Sequence, residues 1–181
     1  MPNLLFPLLL LSSFLMQNSN RLYDFTPDST DEWEVEDDVV MGGQSEGHFT
    51  VTDDGHGRFY GHVSLANDGG FSSIERVLEG DADVSGEKAF TVRLKGDGKS
   101  YTLRVQSKRD QEFMHEATFP TSGEWQTVTI PFGIMEAKHH GEPVDVPEFD
   151  GGPVHKLQFM IGNGKEQDFV VLLDWIGVAS R

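Results

Sequence analysis

The chain has 181 residues, and 30 Asp and Glu against 14 Lys and Arg give a formal charge of -16 at pH 7, which argues against nucleic acid because phosphate binding needs clustered cations. The length suits one domain with a two-layer core. Cysteine is absent, so disulfides, thiolate metal sites, a cysteine nucleophile and a lipid-modified cysteine are all excluded.

The first twenty residues, MPNLLFPLLLLSSFLMQNSN, carry no charged side chain. The apolar run Leu4 to Met16 falls short of the roughly 20 residues that cross a bilayer, and its length fits the core of a secretory signal. No Lys or Arg precedes it and no small-x-small cleavage site follows, so an uncleaved anchor and a misassigned start stay open beside the export signal. Residues 1–20 are therefore expected to be a hydrophobic leader and 21–181 a single β-sandwich domain, with no membrane span beyond that possible anchor.

After Asn20 the hydrophobic period is two, and short runs are bounded by Gly, Asp, Asn or Pro, as in strands. GRFYGHVSL (Gly57–Leu65) and GFSSIERVL (Gly70–Leu78) read as a pair joined by the ANDG loop. AFTVRLK puts Phe90, Val92 and Leu94 on one face and Thr91, Arg93 and Lys95 on the other, and YTLRVQS repeats the pattern with Tyr101, Leu103 and Val105 inward. The intervening GDGKS supplies the Asp-Gly that a tight hairpin favours. EFMHEATF, EWQTVTIPF and HKLQFMIG are further strands. DFVVLLDWIGV is nearly all apolar and is expected to be central and buried on both faces. About ten strands at this spacing predict an all-β sandwich or barrel with little helix. Gly133 to Gly152 is the one long irregular stretch.

Signatures of catalysis are missing: no Gly-x-Ser-x-Gly elbow, no His-Glu-x-x-His and no phosphate loop. The acids offer many carboxylate pairs of the glycosidase kind, but nothing selects one, so the chain reads as a non-enzyme. The histidines at 48, 56, 62, 115, 139, 140 and 155 match no metal-ligand spacing, and His139 and His140 would point apart in an extended chain. Acid-rich turns around Asp37, Asp38, Asp53, Asp54, Asp81 and Asp83 supply oxygen ligands of the type calcium prefers, without EF-hand spacing. No cofactor is expected, and structural calcium is the only candidate. Trp33, Trp125 and Trp175 are expected in the core, since Trp125 opens a strand and Trp175 ends the most apolar one.

Two stretches suit no regular element: DDVVMGGQSEGHF (Asp37–Phe49) and ANDGGFSSI (Ala66–Ile74), each with a Gly-Gly beside an acid. On a structural reading, Gly42-Gly43 and Gly69-Gly70 take backbone angles or approaches closed to other residues. Asp38 and Asn67 then lock the turns by bonding nearby amides, and Met41 and Phe71 plug the end of the sandwich. On a functional reading the turns form one rim in which Asp38, Asn67, Asp68 and the free amides grip a ligand. Asp and Asn beside Gly are ordinary turn chemistry, which favours the structural role. If there is a site, it is this rim: Asp38, Met41, Gly42, Gly43, Asn67, Asp68, Gly69, Gly70 and Phe71.

Taken in series, DDVVMGGQSEG, FYGHVSLANDGGFSSI, LKGDGKSY, EWQTVTIPF and VVLLDWIGV resemble the complex I intermediate-associated protein 30 family, from about Asp24 to Ser180. The resemblance implies a galactose-binding-like jelly-roll sandwich. It also implies a non-catalytic chaperone for assembly of the respiratory NADH dehydrogenase, whose partner is another protein, a basic one or a respiratory-complex subunit. The fold is similar to that of carbohydrate-binding modules as well, so an exported module with a carbohydrate ligand is the alternative. The family's basic segment after the Pro-Phe strand is replaced here by AKHHGEPV, which makes Lys138, His139 and His140 candidate loop contacts. The family implies the cytoplasmic or matrix side, whereas the leader implies the periplasm or the exterior.

Overall fold

The structure, a computed structural model, describes residues 20–180, so the leader expected at the N-terminus lies outside the described residues. Thirteen strands follow in chain order: β1 (Asn20–Asp24), β2 (Glu34–Asp37), β3 (Glu46–Val51), β4 (Gly57–Val63), β5 (Ser72–Asp83), β6 (Ala89–Lys95) and β7 (Ser100–Gln106). The rest are β8 (Met114–Pro120), β9 (Trp125–Pro131), β10 (Glu136–His139), β11 (Glu142–Pro143), β12 (Pro153–Ile161) and β13 (Gln167–Ala179). Four short 3-10 turns are the helical elements among the described residues.

The strands form two antiparallel sheets. One runs β3-β4-β13-β6-β9, with β1 added to β13. The other runs β11-β10-β8-β7-β12-β5-β2. Alternation along each strand sends one side of each sheet into a shared core. Phe59, Phe90, Leu94 and Leu173 meet Ile74, Tyr101, Leu103, Leu157 and Phe159 there, all fully buried. Burying a side chain of this size contributes about 1.5–3 kcal/mol, so the interlayer supplies most of the driving force.

Inward and outward residues of β6 and β7 fall as their alternation predicts, but these two strands do not form a hairpin. β6 pairs with β13 and β9, while β7 pairs with β12 and β8 in the other sheet. The GDGKS segment instead carries the chain between layers. Its Asp97 accepts from the amides of Lys99 and Val170 and from the Tyr101 hydroxyl, at 3.2, 2.9 and 3.2 Å. Those bonds tie the crossover to β13 of one sheet and β7 of the other.

The expected pairing of Gly57–Leu65 with Gly70–Leu78 fails in the same way, since β4 and β5 lie in opposite sheets. β4 pairs instead with the preceding strand β3, through a turn in which the Thr52 amide donates to the His56 carbonyl at 2.9 Å, and on its other side with β13. Period two reports which face is buried and is silent about which layer a strand joins.

β13 is central, with β4 and β6 on either side, but it is not buried on both faces. Val170 is 39% exposed and Leu172 and Trp175 are half-buried. The stretch from Gly133 to Gly152 is less irregular than its sequence suggests, because it holds the small hairpin β10–β11.

Candidate functional site

The two glycine pairs meet around one carboxylate. Asp38 begins a 3-10 turn, Asp38–Met41, that follows β2. Its side chain is 1% exposed. Oδ1 accepts from the Ser45 amide at 2.9 Å. Oδ2 accepts from Ser45 Oγ at 2.6 Å, the Gly70 amide at 2.6 Å and the Phe71 amide at 3.2 Å. Burial alone would raise the pKa of this acid, but the hydrogen bonds from Ser45, Gly70 and Phe71 outweigh it and hold the carboxyl below its ordinary value.

Each pair divides its labour. A Cβ on Gly43 would lie 2.2 Å from Asp38 Oδ1, and one on Gly69 would lie 2.6 Å from Asp38 Oδ2, so both positions require the absence of a side chain. Gly42 and Gly70 have φ of 93° and 143°, where L side chains are strained. The second turn adds Asn67 and Asp68, also left-handed with φ of 57° and 58°, and Asn67 Nδ2 donates to the Gly42 carbonyl at 3.2 Å. Asn67 therefore bonds a carbonyl across the two turns where an amide was expected.

Of the expected rim, the structure brings the two turns together but removes Asp38 from it. The carboxylate is saturated from within and cannot grip a ligand. Met41 does not plug the sandwich either. It is 65% exposed, and Val39 and Val40 before it are 59% and 71% exposed, because the 3-10 turn is pinned at Asp38 and swings the next three side chains outward. Leu65, at 42%, lies beside the second turn with its Cδ2 near Gly70. Phe71 is half-buried, with its Cβ against Gly162. The outcome is an apolar knuckle on a rigid base, flanked by Asn67 and Asp68. The sequence contains its signal, two valines and a methionine on a turn that the core has no room for.

Lys138, His139 and His140 are elsewhere. They sit on β10 and its turn, at the opposite edge of the second sheet from β2. Lys138 is ion-paired with Glu116 at 3.0 Å, and Glu116 also pairs with Arg104 at 2.9 Å. Arg104 in turn donates to Gln158 Oε1 at 2.6 Å, and Gln158 donates to Glu36 and Glu75 at 3.1 and 3.2 Å. His139 and His140 do not point apart. His140 has φ of 51°, which folds its ring to 4.2 Å from that of His139.

Tryptophan placement also departs from expectation. Trp33 is buried, but Trp125 and Trp175 are half-buried on the outward side of the first sheet. Arg93 lies over Trp125 and Arg21 over Trp175, at 5.7 and 5.0 Å from the ring centroids. Tyr60, on the same side, has Arg58 over it at 4.1 Å. As to metals, no group of three or more His, Asp or Glu among the described residues is arranged to hold an ion.

A family profile for complex I intermediate-associated protein 30 (CIA30) matches residues 23–173. The chain belongs to the CIA30 family. No curated protein matches it. Among solved structures, this CIA30 chain is similar in fold to a family 11 carbohydrate-binding module from Clostridium thermocellum, in complex with a β-1,3-1,4-mixed-linked tetrasaccharide. That likeness has a TM-score of 0.60 at 17% identity, covering 89% of this chain and 95% of the other. The family 11 module of the C. thermocellum cellulase Lic26A-Cel5E gives a TM-score of 0.61 at 17% identity, covering 90% and 95%. An agarase matches at a TM-score of 0.58 and 16% identity, over 90% of this chain and 26% of its own. At these identities the likeness establishes the jelly-roll sandwich of the CIA30 chain and nothing finer.

Proposed function

We propose that this chain is a non-catalytic binding protein that engages another protein through the Val39-Val40-Met41 knuckle, as an assembly factor of the CIA30 family would. The observation that carries this is the exposure of three consecutive large apolar side chains on a turn fixed from beneath by a saturated, buried carboxylate. A flexible apolar loop would lose conformational entropy on binding, and a pinned one has already lost it. Apolar anchors centred in a polar surround are the usual make-up of a binding hot spot. The acid excess favours a partner whose contact surface is basic around an apolar pocket.

The test is in-cell cross-linking of the full chain beside Val40→Asp and Met41→Asp. Proteins cross-linked to the wild type should be lost from both variants while their melting temperatures stay put. Retention of the same cross-links by both would overturn the assignment.

The carbohydrate alternative draws on the family 11 modules and on the half-exposed Tyr60, Trp125 and Trp175. An arginine already lies over each of those rings, in the place where a sugar ring would stack. This favours the protein partner. Titration with mixed-linkage β-glucan, followed by tryptophan fluorescence, checks it, and saturable quenching would reinstate the carbohydrate reading.

A further inference from the structure

We propose that β9 pairs antiparallel with β9 of a second copy of this chain, joining two first sheets into one across a two-fold axis at Val128. β9 is the last strand of its sheet, with β6 on one side and an open edge on the other. Which backbone groups face that edge follows from one bond. The Phe132 amide donates to the Lys88 carbonyl at 2.9 Å, in register with the ladder that sets Ala89 against Pro131 and Phe90 against Ile130. Bonding alternates along an antiparallel pair. Gln126, Val128 and Ile130 therefore bond to β6, and Trp125, Thr127, Thr129 and Pro131 turn their backbone groups to the open side. Among the described residues, no hydrogen bond from another segment reaches those outward groups.

Open edges are ordinarily blunted by charge, brevity or cover, and the other outer strands each have one of these. In the second sheet β2 holds Glu34, Glu36 and Asp37, and β11 has two residues. In the first, β1 carries Arg21 and Asp24, and β3 carries Glu46 and has its Gly47 amide capped by Asp37 Oδ2 at 2.9 Å. β9, WQTVTIP, has seven residues and no charge. The uncharged run continues to Met135 and includes Ile134, which is 57% exposed. Pro131 sits at an outward position, where its missing amide costs no bond to β6.

Self-complementarity selects the occupant. A second copy carries the same charge of -16, so its approach is least opposed where the meeting strands are neutral. A two-fold axis at Val128 sets Val128 against its own image, Thr127 against Thr129 and Trp125 against Pro131. Every outward amide then has an acceptor. Thr127 and Thr129 exchange both of their bonds, and the Trp125 amide meets the Pro131 carbonyl, which asks no donor of the proline. Threonine pairs and β-branched pairs are favourable cross-strand neighbours, and Val128, partly buried in the single chain, is covered by its image. The nearest charges do not oppose the seam. Glu124 falls opposite Phe132 of the second copy. Arg93 and Lys95 lie one strand in, so the cations of the two copies stand three strand spacings apart, about 14 Å, beyond the Debye length of about 8 Å at physiological salt.

Such a pair is closed, because it uses up both β9 edges. The knuckle at Val39-Val40-Met41 leads into β3, at the opposite edge of the sheet. The dimer therefore keeps two knuckles free at its far ends and meets its target bivalently.

The experiment is sedimentation velocity of the full chain over a concentration series, with an engineered cross-link as a second readout. Every variant keeps residues 1–20, so any association through them is common to all. The wild type should pass from monomer to dimer as concentration rises. Thr127→Glu/Thr129→Glu sets carboxylates against each other across the seam, but within one copy position 127 faces Arg93. It should raise the dimer Kd at least about tenfold with no fall in melting temperature. Thr91→Glu, one strand in on the same face, should leave Kd unchanged. The chain has no cysteine, so Val128→Cys gives a single thiol per copy. Facing Cα atoms of a non-hydrogen-bonded antiparallel pair are about 4.5 Å apart, within disulfide reach. Oxidised glutathione, itself reduced by the two electrons, should link the copies of Val128→Cys and leave Thr50→Cys, on β3, unlinked. A wild type that stays monomeric at every concentration overturns the proposal. So does a dimer that survives Thr127→Glu/Thr129→Glu, or one that Val128→Cys fails to link. Val40→Asp and Met41→Asp should leave the dimer intact, so failure of the knuckle and failure of the seam are separate results.

Discussion

Ser45 and Gly70 bind opposite oxygens of the Asp38 carboxylate, the serine amide on Oδ1 and the glycine amide on Oδ2. One buried acid thus joins the connection leaving β2 to the connection entering β5, and both glycine pairs exist to let it do so.

Asp38→Asn should be strongly destabilising although it is isosteric. Oδ2 takes three donors, and an amide nitrogen in that place would face all of them as a donor. With hydrogen bonds to a charged group worth about 1.5–3 kcal/mol each, a loss of about 3 kcal/mol or more is expected in urea unfolding. A change below about 1 kcal/mol would mean the turns are held by something else.

The glycines should rank by mechanism. Gly43→Ala and Gly69→Ala press a methyl group onto the Asp38 carboxylate, and overpacking of this kind costs about 1–3 kcal/mol. Gly133, with ordinary φ and open space around it, should tolerate alanine. Thermal melts of the three variants test the order, and a Gly133→Ala variant as unstable as the other two would contradict it.

Acid should unfold the chain partly through Asp38 and Asp97. At Asp97 burial opposes ionisation, but the bonds from Lys99 and the Val170 amide outweigh it, so both folded-state pKa values are lowered. The stability they contribute is fully present above the unfolded value of about 3.9 and is lost as pH falls through the folded values. In Asp38→Asn the acid limb of a stability–pH curve should flatten.

Glu36 has the opposite sign. Burial first, and then the neighbouring Glu75 carboxylate, raise its pKa in the folded state. Folding therefore disfavours its charge, a cost absent below the unfolded value and complete above the folded one. Glu36→Gln keeps an acceptor for Gln158 and should be more stable than the wild type at pH 7, with the gain fading below about pH 4. A destabilised variant at neutral pH would show that Glu36 acts as a needed anion.

Much of the sandwich was legible because it depends on alternation: Phe90, Val92, Leu94, Tyr101, Leu103 and Val105 all point where their spacing says. The layer each strand joins was not. Asp97 ties a crossover with the same Asp-Gly chemistry that closes a hairpin, and local sequence does not distinguish the two. At the candidate site, the locking role of Asp38 followed from ordinary turn chemistry. Its partner Ser45 and the outward swing of Val39, Val40 and Met41 did not, since no periodicity marks them, and the Gly70 and Phe71 amides reach Asp38 from a distant part of the chain. Trp125 and Trp175 misled because a place at the start of a strand, or at the end of the most apolar one, does not say which face the ring takes, and a strand puts alternate residues on opposite faces.

The outermost strands of the second sheet bear on a different matter, the fate of the protein at high concentration. β11 has only two residues, and three of the four in β2, Glu34, Glu36 and Asp37, are acidic. An open sheet edge is a template for strand addition by another copy. Here one edge is too short to offer a register and the other repels its own image, so stacking of these molecules into fibrils is blocked at both ends of the larger sheet.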